Sequence, residues 1–233
     1  MKSYQNLVLL QNLYRLKSIG FEYIDHFSIN DKNDYTKVDN FTQLVQNIKS
    51  CHLCDLSKSR KQSMVGFGNN KAELLVLDYS VSSAQDSSNS YYTSRAGVML
   101  KNMLERVVGV FVDDVYITHC VKCKPLDINK PSPSEIESCK SYLHAQLEMI
   151  KPKVIVTLGG DAYKTLTSDE SNFENIRGHV IEFRGFKIIP IYHPQYLLRN
   201  PELKKITQND LKIIKRVINE KTVYFSGSNN SVC

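Results

Sequence analysis

A chain of 233 residues with 42% hydrophobic and 9% aromatic side chains can bury a substantial core, which excludes a disordered or fibrous chain and fits one large domain with appendages. Its formal net charge of +6 suits a polyanionic partner such as nucleic acid without requiring one. No stretch approaches the roughly 20 apolar residues of a membrane helix, and the apolar run Leu7-Val8-Leu9-Leu10 is too short for a secretory signal, so a cytoplasmic location and no membrane association are expected.

Residues 5–18 show helical spacing, closed by Gly20 as a C-terminal cap. The polar stretch Ser28 to Asn40 reads as a linker, so residues 1–40 are expected to form a helical arm and linker. The main domain is expected over residues 41–223. Within it, β-branched runs at Glu73–Asp78, Val115–Thr118, Val154–Leu158 and Lys187–Tyr192 read as strands. Helical patterns fall at Ala96–Val108, Ser134–Ile150 and Asp161–Thr167. Apolar strands alternating with amphipathic helices imply an α/β fold of three layers, α/β/α, around a central mostly parallel sheet. His179–Phe183, Arg184-Gly185 and the run from Lys187 can pair as an edge hairpin. The final residues, 224–233, read as a disordered tail, and no internal repeat is present.

The segment Ser134–Ile150 carries the clearest local signal. Ser132-Pro133-Ser134-Glu135 places a capping serine, a proline in the first turn and an acid at the third position. Ile136, Cys139, Leu143, Leu147 and Ile150 then share one face. Cys139 therefore points inward, as a core thiol or as a ligand.

With no secretory signal, the six cysteines read as thiols and metal ligands rather than as a disulfide framework. Cys51-His52-Leu53-Cys54 and Cys120-Val121-Lys122-Cys123 are both CxxC pairs, a spacing at which two thiolates can reach one metal. Joined, they would make a four-cysteine zinc site, although the gap between them is long for a compact zinc module. Cys51, Cys54, Cys123 and Cys139 make a second set, and four thiolates also suit a [4Fe-4S] cluster. The chemistry of the residues leaves both sets open.

The stretch ITHCVKCKPLDINKPSPSEIESC, residues 117–139, resembles the middle of the iron–sulfur (family 4) uracil-DNA glycosylases, which carry "N-x-x-K-C-R-P-P", then "P-t-P-x-E" and a helix with a further cysteine; Cys123 and Cys139 are sixteen apart, as in that pattern. CHLCDLSKSR resembles the family's "C-x-x-C-x-L-x-x-x-R", SRAGVMLKNML its "G-R-A-G-x-x-L", and KPKVIVTLGGDAY its "P-k-v-I-v-x-L-G-x-x-A". Arg177-Gly178 and HPQYLLRNP, similar to "H-P-x-y-L-L-R-n-P", complete the series in the same order. The resemblance implies a uracil-DNA glycosylase-like fold, DNA containing uracil or another deaminated base as partner, and a [4Fe-4S] cluster on Cys51, Cys54, Cys123 and Cys139, with Cys120 a bystander.

It also assigns roles. The base is flipped from the duplex and its N-glycosidic bond hydrolysed. His193, beyond the strand ending at Tyr192, takes the place of the histidine that donates to uracil O2 as negative charge develops there. Tyr92 takes the place of the aromatic that stacks on the base. Leu197, Leu198 and Arg199 take those of the wedge and phosphate contact. Departures from the pattern are concentrated in its first motif, "G-E-A-P-G-x-x-E-D", which aligns to Asp78-Tyr79-Ser80-Val81-Ser82-Ser83-Ala84-Gln85-Asp86. Only Asp86 is retained, and it becomes the candidate catalytic acid. Asp78, at the first glycine, could hold a water. His119 replaces the base-reading asparagine, and a later asparagine falls on Ile128, with Asn129 adjacent. The implied function is a DNA repair glycosylase acting as a monomer. The alternatives are a non-catalytic or repurposed member that binds DNA or a repair partner, with the N-terminal arm as docking element, and an unrelated zinc or redox protein.

Overall fold

Four parallel strands form the centre of the sheet in a computed structural model that describes residues 40–126 and 130–220. The expected N-terminal helix, the expected tail, Ile128 and Asn129 all lie outside the described residues. The strands are β1 (Phe67–Gly68), β2 (Leu74–Ser80), β3 (Val115–Val121), β4 (Val154–Leu158), β5 (Ile181–Phe183) and β6 (Phe186–Ile191). They form one mixed sheet in the order β1-β3-β2-β4-β6-β5. The pairs β3-β2, β2-β4 and β4-β6 are parallel, and the two edges, β1 on β3 and β5 on β6, are antiparallel.

All residues of β3 and β4 are buried, as expected of parallel strands covered on both faces. The β5–β6 hairpin turns through Arg184 and Gly185, at φ 48° and 84°. Two left-handed residues are what a two-residue turn needs to match the twist of the strands.

Nine α-helices lie among the described residues: α1 (Phe41–Lys49), α2 (Leu56–Ser59), α3 (Ser83–Ser88), α4 (Arg95–Asn102), α5 (Pro133–Ile150), α6 (Gly160–Thr167), α7 (Phe173–Ile176), α8 (Pro194–Arg199) and α9 (Lys204–Asn219). Alternation along the strands divides the core. Leu74, Val76, Val115, Ile117, Val154, Val156 and Ile189 pack with Leu100 of α4, Met103 and Leu104 beyond it, and Leu211, Ile214 and Val217 of α9. Leu75, Leu77, Tyr116, Ile155 and Ile188 pack with Leu143, Leu147 and Ile150 of α5 and Ala162, Tyr163 and Leu166 of α6. The result is the expected three-layer α/β/α arrangement.

Ser132 caps α5 with a reciprocal bond to Glu135, and Pro133 opens it, as the sequence predicts. The pattern at Ala96–Val108 becomes α4 followed by a π-helical turn, Met103–Val108, which Gly109 ends at φ 86°. β3 runs three residues beyond its expected end. His119 interrupts the apolar pattern, yet parallel pairing continues through Asp78↔His119 and Ser80↔Val121. Helix α9 was not predicted. It has no side-chain N-cap and a lysine-rich outer face, but Leu211, Ile214 and Val217 are buried, each contributing roughly 1.5–3 kcal/mol. Among the described residues no helix is long and apolar enough to cross a membrane.

Candidate active site and cysteine centre

The carboxyl ends of β2, β4 and β6 open into one cleft of about 730 Å³, whose walls include Asp78, Tyr91, Lys124, Gly159, His193 and Leu198. Open parallel sheets place ligands at this end. β2 delivers Asp78, β4 leads into Gly159, and His193 follows β6 at the start of α8. Gly159 adopts φ +83°, which a larger residue rarely takes, and an added Cβ would stand 3.7 Å from the Cβ of His193.

His193 is the N-cap of α8, and its Nδ1 accepts the Gln195 N–H at 3.0 Å. A nitrogen that accepts carries no proton, so the neutral ring is protonated at Nε2. Nε2 faces Asp78, 3.4 Å from Oδ1 and 3.5 Å from Oδ2. Asp78 also accepts the Tyr79 N–H at 2.7 Å. Burial would raise its carboxyl, but His193, His119 and the Tyr79 amide outweigh that and hold it below the usual carboxylate range. For His193, burial lowers the imidazole and Asp78 more than reverses this.

His119 is fully buried behind the cleft wall. Its Nδ1 lies 2.7 Å from the Tyr91 hydroxyl, and the two rings stack at 4.7 Å. With the Tyr91 O–H donating to Nδ1, the Nε2 proton faces Asp78 Oδ2 at 3.8 Å. Burial pushes His119 down to about 4, so the ring is neutral. It does not line the cleft.

Three further sequence assignments land elsewhere. Asp86 is buried and its Oδ1 accepts the backbone N–H groups of Lys61 and Gln62 at 3.1 and 3.5 Å. It braces the loop after α2 and does not reach the cleft. Tyr92 is partly buried against the core and does not line the cleft, whereas its neighbour Tyr91, itself buried in the core, forms part of the cleft wall. Gly97 explains how this pair lies flat across α4, since a Cβ there would stand 2.0 Å from the Tyr91 carbonyl oxygen. The pair Tyr91-Tyr92 was the available sequence signal, and spacing alone cannot decide which ring turns inward. Leu197 is buried in the core, whereas Leu198 is 40% exposed at the cleft and Arg199 is exposed. Successive helix residues point about 100° apart, so three in a row cannot share the outer face.

Just beyond the carboxyl end of β3, Cys51, Cys54, Cys123 and Cys139 line one small cavity together with Arg60, Lys122 and Tyr142. Cys120 is not among them. It sits one strand position out of phase, packed with Leu143 and Leu147, its thiol directed at the Ala162 carbonyl at 3.9 Å. Arg60 joins the two halves of the cavity. It donates to Cys123 Sγ at 3.1 Å and to the carbonyls of Lys49 and Cys51 at 3.0 and 2.9 Å. The N–H groups of Leu53 and Lys122 lie 3.5 Å from the sulfurs of Cys51 and Cys139. Buried Lys122 donates to the His119 carbonyl at 2.6 Å and to Thr118 Oγ1 at 2.8 Å.

Burial raises the thiols of Cys54, Cys123 and Cys139, the last to about 11. Donors aimed at sulfur favour thiolates, and a bound cation would complete the charge balance. Among the described residues no three His, Cys, Asp or Glu side chains are grouped closely enough for a single metal ion. Four cysteine thiols on one cavity are a donor set of the kind that holds a thiolate-bound metal centre.

Residues 65–215 match the sequence profile of the Uracil DNA glycosylase superfamily. The chain is 30% identical over 194 residues to a type-4 uracil-DNA glycosylase of Saccharolobus solfataricus, covering 80% of this chain and 90% of that protein. It is 33% identical over 192 residues to one of Archaeoglobus fulgidus, covering 79% and 96%. For one of Thermotoga maritima the figure is 33% over 191 residues, covering 80% and 99%.

Proposed function

The chain belongs to the uracil-DNA glycosylase superfamily, and from that membership we propose that it is a DNA repair glycosylase that hydrolyses the N-glycosidic bond of uracil or a related deaminated base. The observation that carries this reading is the state of His193. The Gln195 N–H occupies Nδ1, so the proton sits on Nε2, the atom turned toward the cleft. A flipped base whose O2 accepts that proton has its developing negative charge stabilised by a fixed donor. Tyr91 offers an aromatic wall for the extruded base. Exposed Leu198, at the cleft, and exposed Arg199, next to it in α8, are suited to wedge and phosphate contact. The sugar becomes oxocarbenium-like as the base departs and is captured by water.

Cys51, Cys54, Cys123 and Cys139 would hold a [4Fe-4S] cluster, which when bound supplies cross-linking of three segments of chain; glycosidic hydrolysis needs no electron. Arg60 and Lys122 hold the cysteine loops in register. A reducing compartment such as the cytoplasm would keep these thiols available.

Purified protein incubated with uracil-, hypoxanthine- and thymine-mismatch oligonucleotides tests the proposal. Excision of at least one deaminated base is expected. Salt-sensitive DNA binding without excision would favour the non-catalytic reading, for which the altered first motif is the supporting observation.

A further inference from the structure

The first motif of the family pattern supplies an acid that this chain lacks at that place, since Tyr79 stands there. Asp86, the acid retained from the motif, is committed to the Lys61 and Gln62 amides outside the cleft. Among the described residues that line the cleft, two are acidic, Asp78 and Asp161. Asp161 is half exposed and its carboxylate pairs with Lys130 at 2.9 Å. Asp78 is 8% exposed, at the end of the central strand β2, with both oxygens facing the His193 imidazole.

We propose that Asp78 is a catalytic carboxylate that takes the proton of the hydrolytic water and screens the sugar cation, a role it reaches by sharing the Nε2 proton of His193. The inference rests on the glycosylase reading above. In the free protein the His193 Nε2–H faces Asp78 across 3.4–3.5 Å, a long and weak contact that an incoming carbonyl can displace. When base O2 accepts a hydrogen bond from that Nε2–H, which stays on His193, the adjacent carboxylate oxygen is released toward the cleft. As the C1′–N1 bond breaks, its electron pair passes to the base. The water oxygen bonds to C1′, and one water proton passes to Asp78. The base anion is protonated from solvent, and Asp78 returns its proton to solvent.

The surroundings favour an ionised Asp78. The Tyr79 amide donates to it, His119 turns an Nε2 toward it that has no hydrogen-bond partner among the described residues, and His193 faces it from the third side. A carboxylate held as the anion in a partly closed cleft is suited to accept a proton at neutral pH.

The test is single-turnover excision by the full-length protein, on the deaminated base it excises best, comparing wild type with Asp78→Asn. Loss of a general base should slow excision roughly 100- to 10,000-fold, with DNA affinity within error of wild type. Asp78→Gly, which restores the family's residue at this position, should be equally slow, and added formate should recover part of its rate by filling the vacated site. If wild type excises and both variants keep a rate within about threefold of it, Asp78 has no such role. If Asp78→Asn unfolds, the Asp78→Gly variant and its response to formate decide. If wild type excises no base at all, the glycosylase reading fails, and this inference with it.

Discussion

One imidazole spans both oxygens of a buried carboxylate: His193 Nε2 lies 3.4 Å from Asp78 Oδ1 and 3.5 Å from Oδ2. Burial acts against both charges, yet their attraction outweighs it, so Asp78 is held low and His193 is raised. The groups facing the pair are His119 from β3 and the Tyr79 amide from β2, with Tyr91 and Cys120 close enough to feel the carboxylate.

The sign of the linkage follows from these directions. The Asp78 contribution to stability is present above the ordinary carboxylate value of about 3.9 and is lost as pH falls through the folded value. The His193 contribution is present below about 6.5 and is lost as pH rises through its folded value. The ion pair is therefore at full strength between about pH 4 and 6.5. Histidine NMR should show His193 titrating above 6.5 in wild type and clearly lower in Asp78→Asn. An unmoved midpoint would mean that the two groups are not coupled.

His119 behaves in the opposite sense. Its folded value is lowered to about 4, so between there and about 6.5 the unfolded chain binds the extra proton and stability falls with pH. The loss is on the order of 3 kcal/mol by pH 4. Urea denaturation at pH 7 and pH 4.5 should show a steeper decline for wild type than for His119→Asn. Parallel declines would place the acid sensitivity elsewhere.

The layered fold was legible because β2, β4 and β6 are apolar runs and α5 carries its cap in plain sight. The site was legible only in part. His193 and the four cavity cysteines sit in segments that the family resemblance singles out, and the structure places the four cysteines on one cavity. Asp78 and Tyr91 do not, because their orientation depends on long-range facts: Asp78 faces a histidine 115 residues away, and Tyr91 is turned inward by the close approach at Gly97. Asp86 matched the family pattern, yet its partners are the backbone amides of a loop that sequence cannot place. Leu197 shares the wedge assignment with Leu198 and Arg199, and a six-residue helix offers too little periodicity to separate their faces.

The cysteine centre predicts a sharp division among the thiols. Cys51→Ala, Cys54→Ala, Cys123→Ala and Cys139→Ala should each abolish bound iron and its visible absorbance and lower the melting temperature, because metal binding contributes folding free energy. Cys120→Ala should keep the iron. Bleaching by Cys120→Ala, with Cys139→Ala still coloured, would reverse the ligand set.

Arg199 is exposed at the end of α8. If it contacts a phosphate, Arg199→Ala should weaken binding to uracil-containing and undamaged duplexes alike. The slope of log affinity against log salt should become shallower by about 1. An effect confined to the uracil-containing duplex would instead make Arg199 part of base recognition.

The central claim is that a fixed Nε2–H on His193 stabilises a departing base, and single-turnover excision by wild type and His193→Ala tests it most directly. Loss of one preorganised donor costs about 100- to 1000-fold in rate. The account predicts uracil or hypoxanthine release by wild type, a drop of that order in His193→Ala, and nearly equal DNA affinity for the two. Wild type that releases neither base, while a reference glycosylase does so in the same tube, or a His193→Ala protein as fast as wild type, would contradict it.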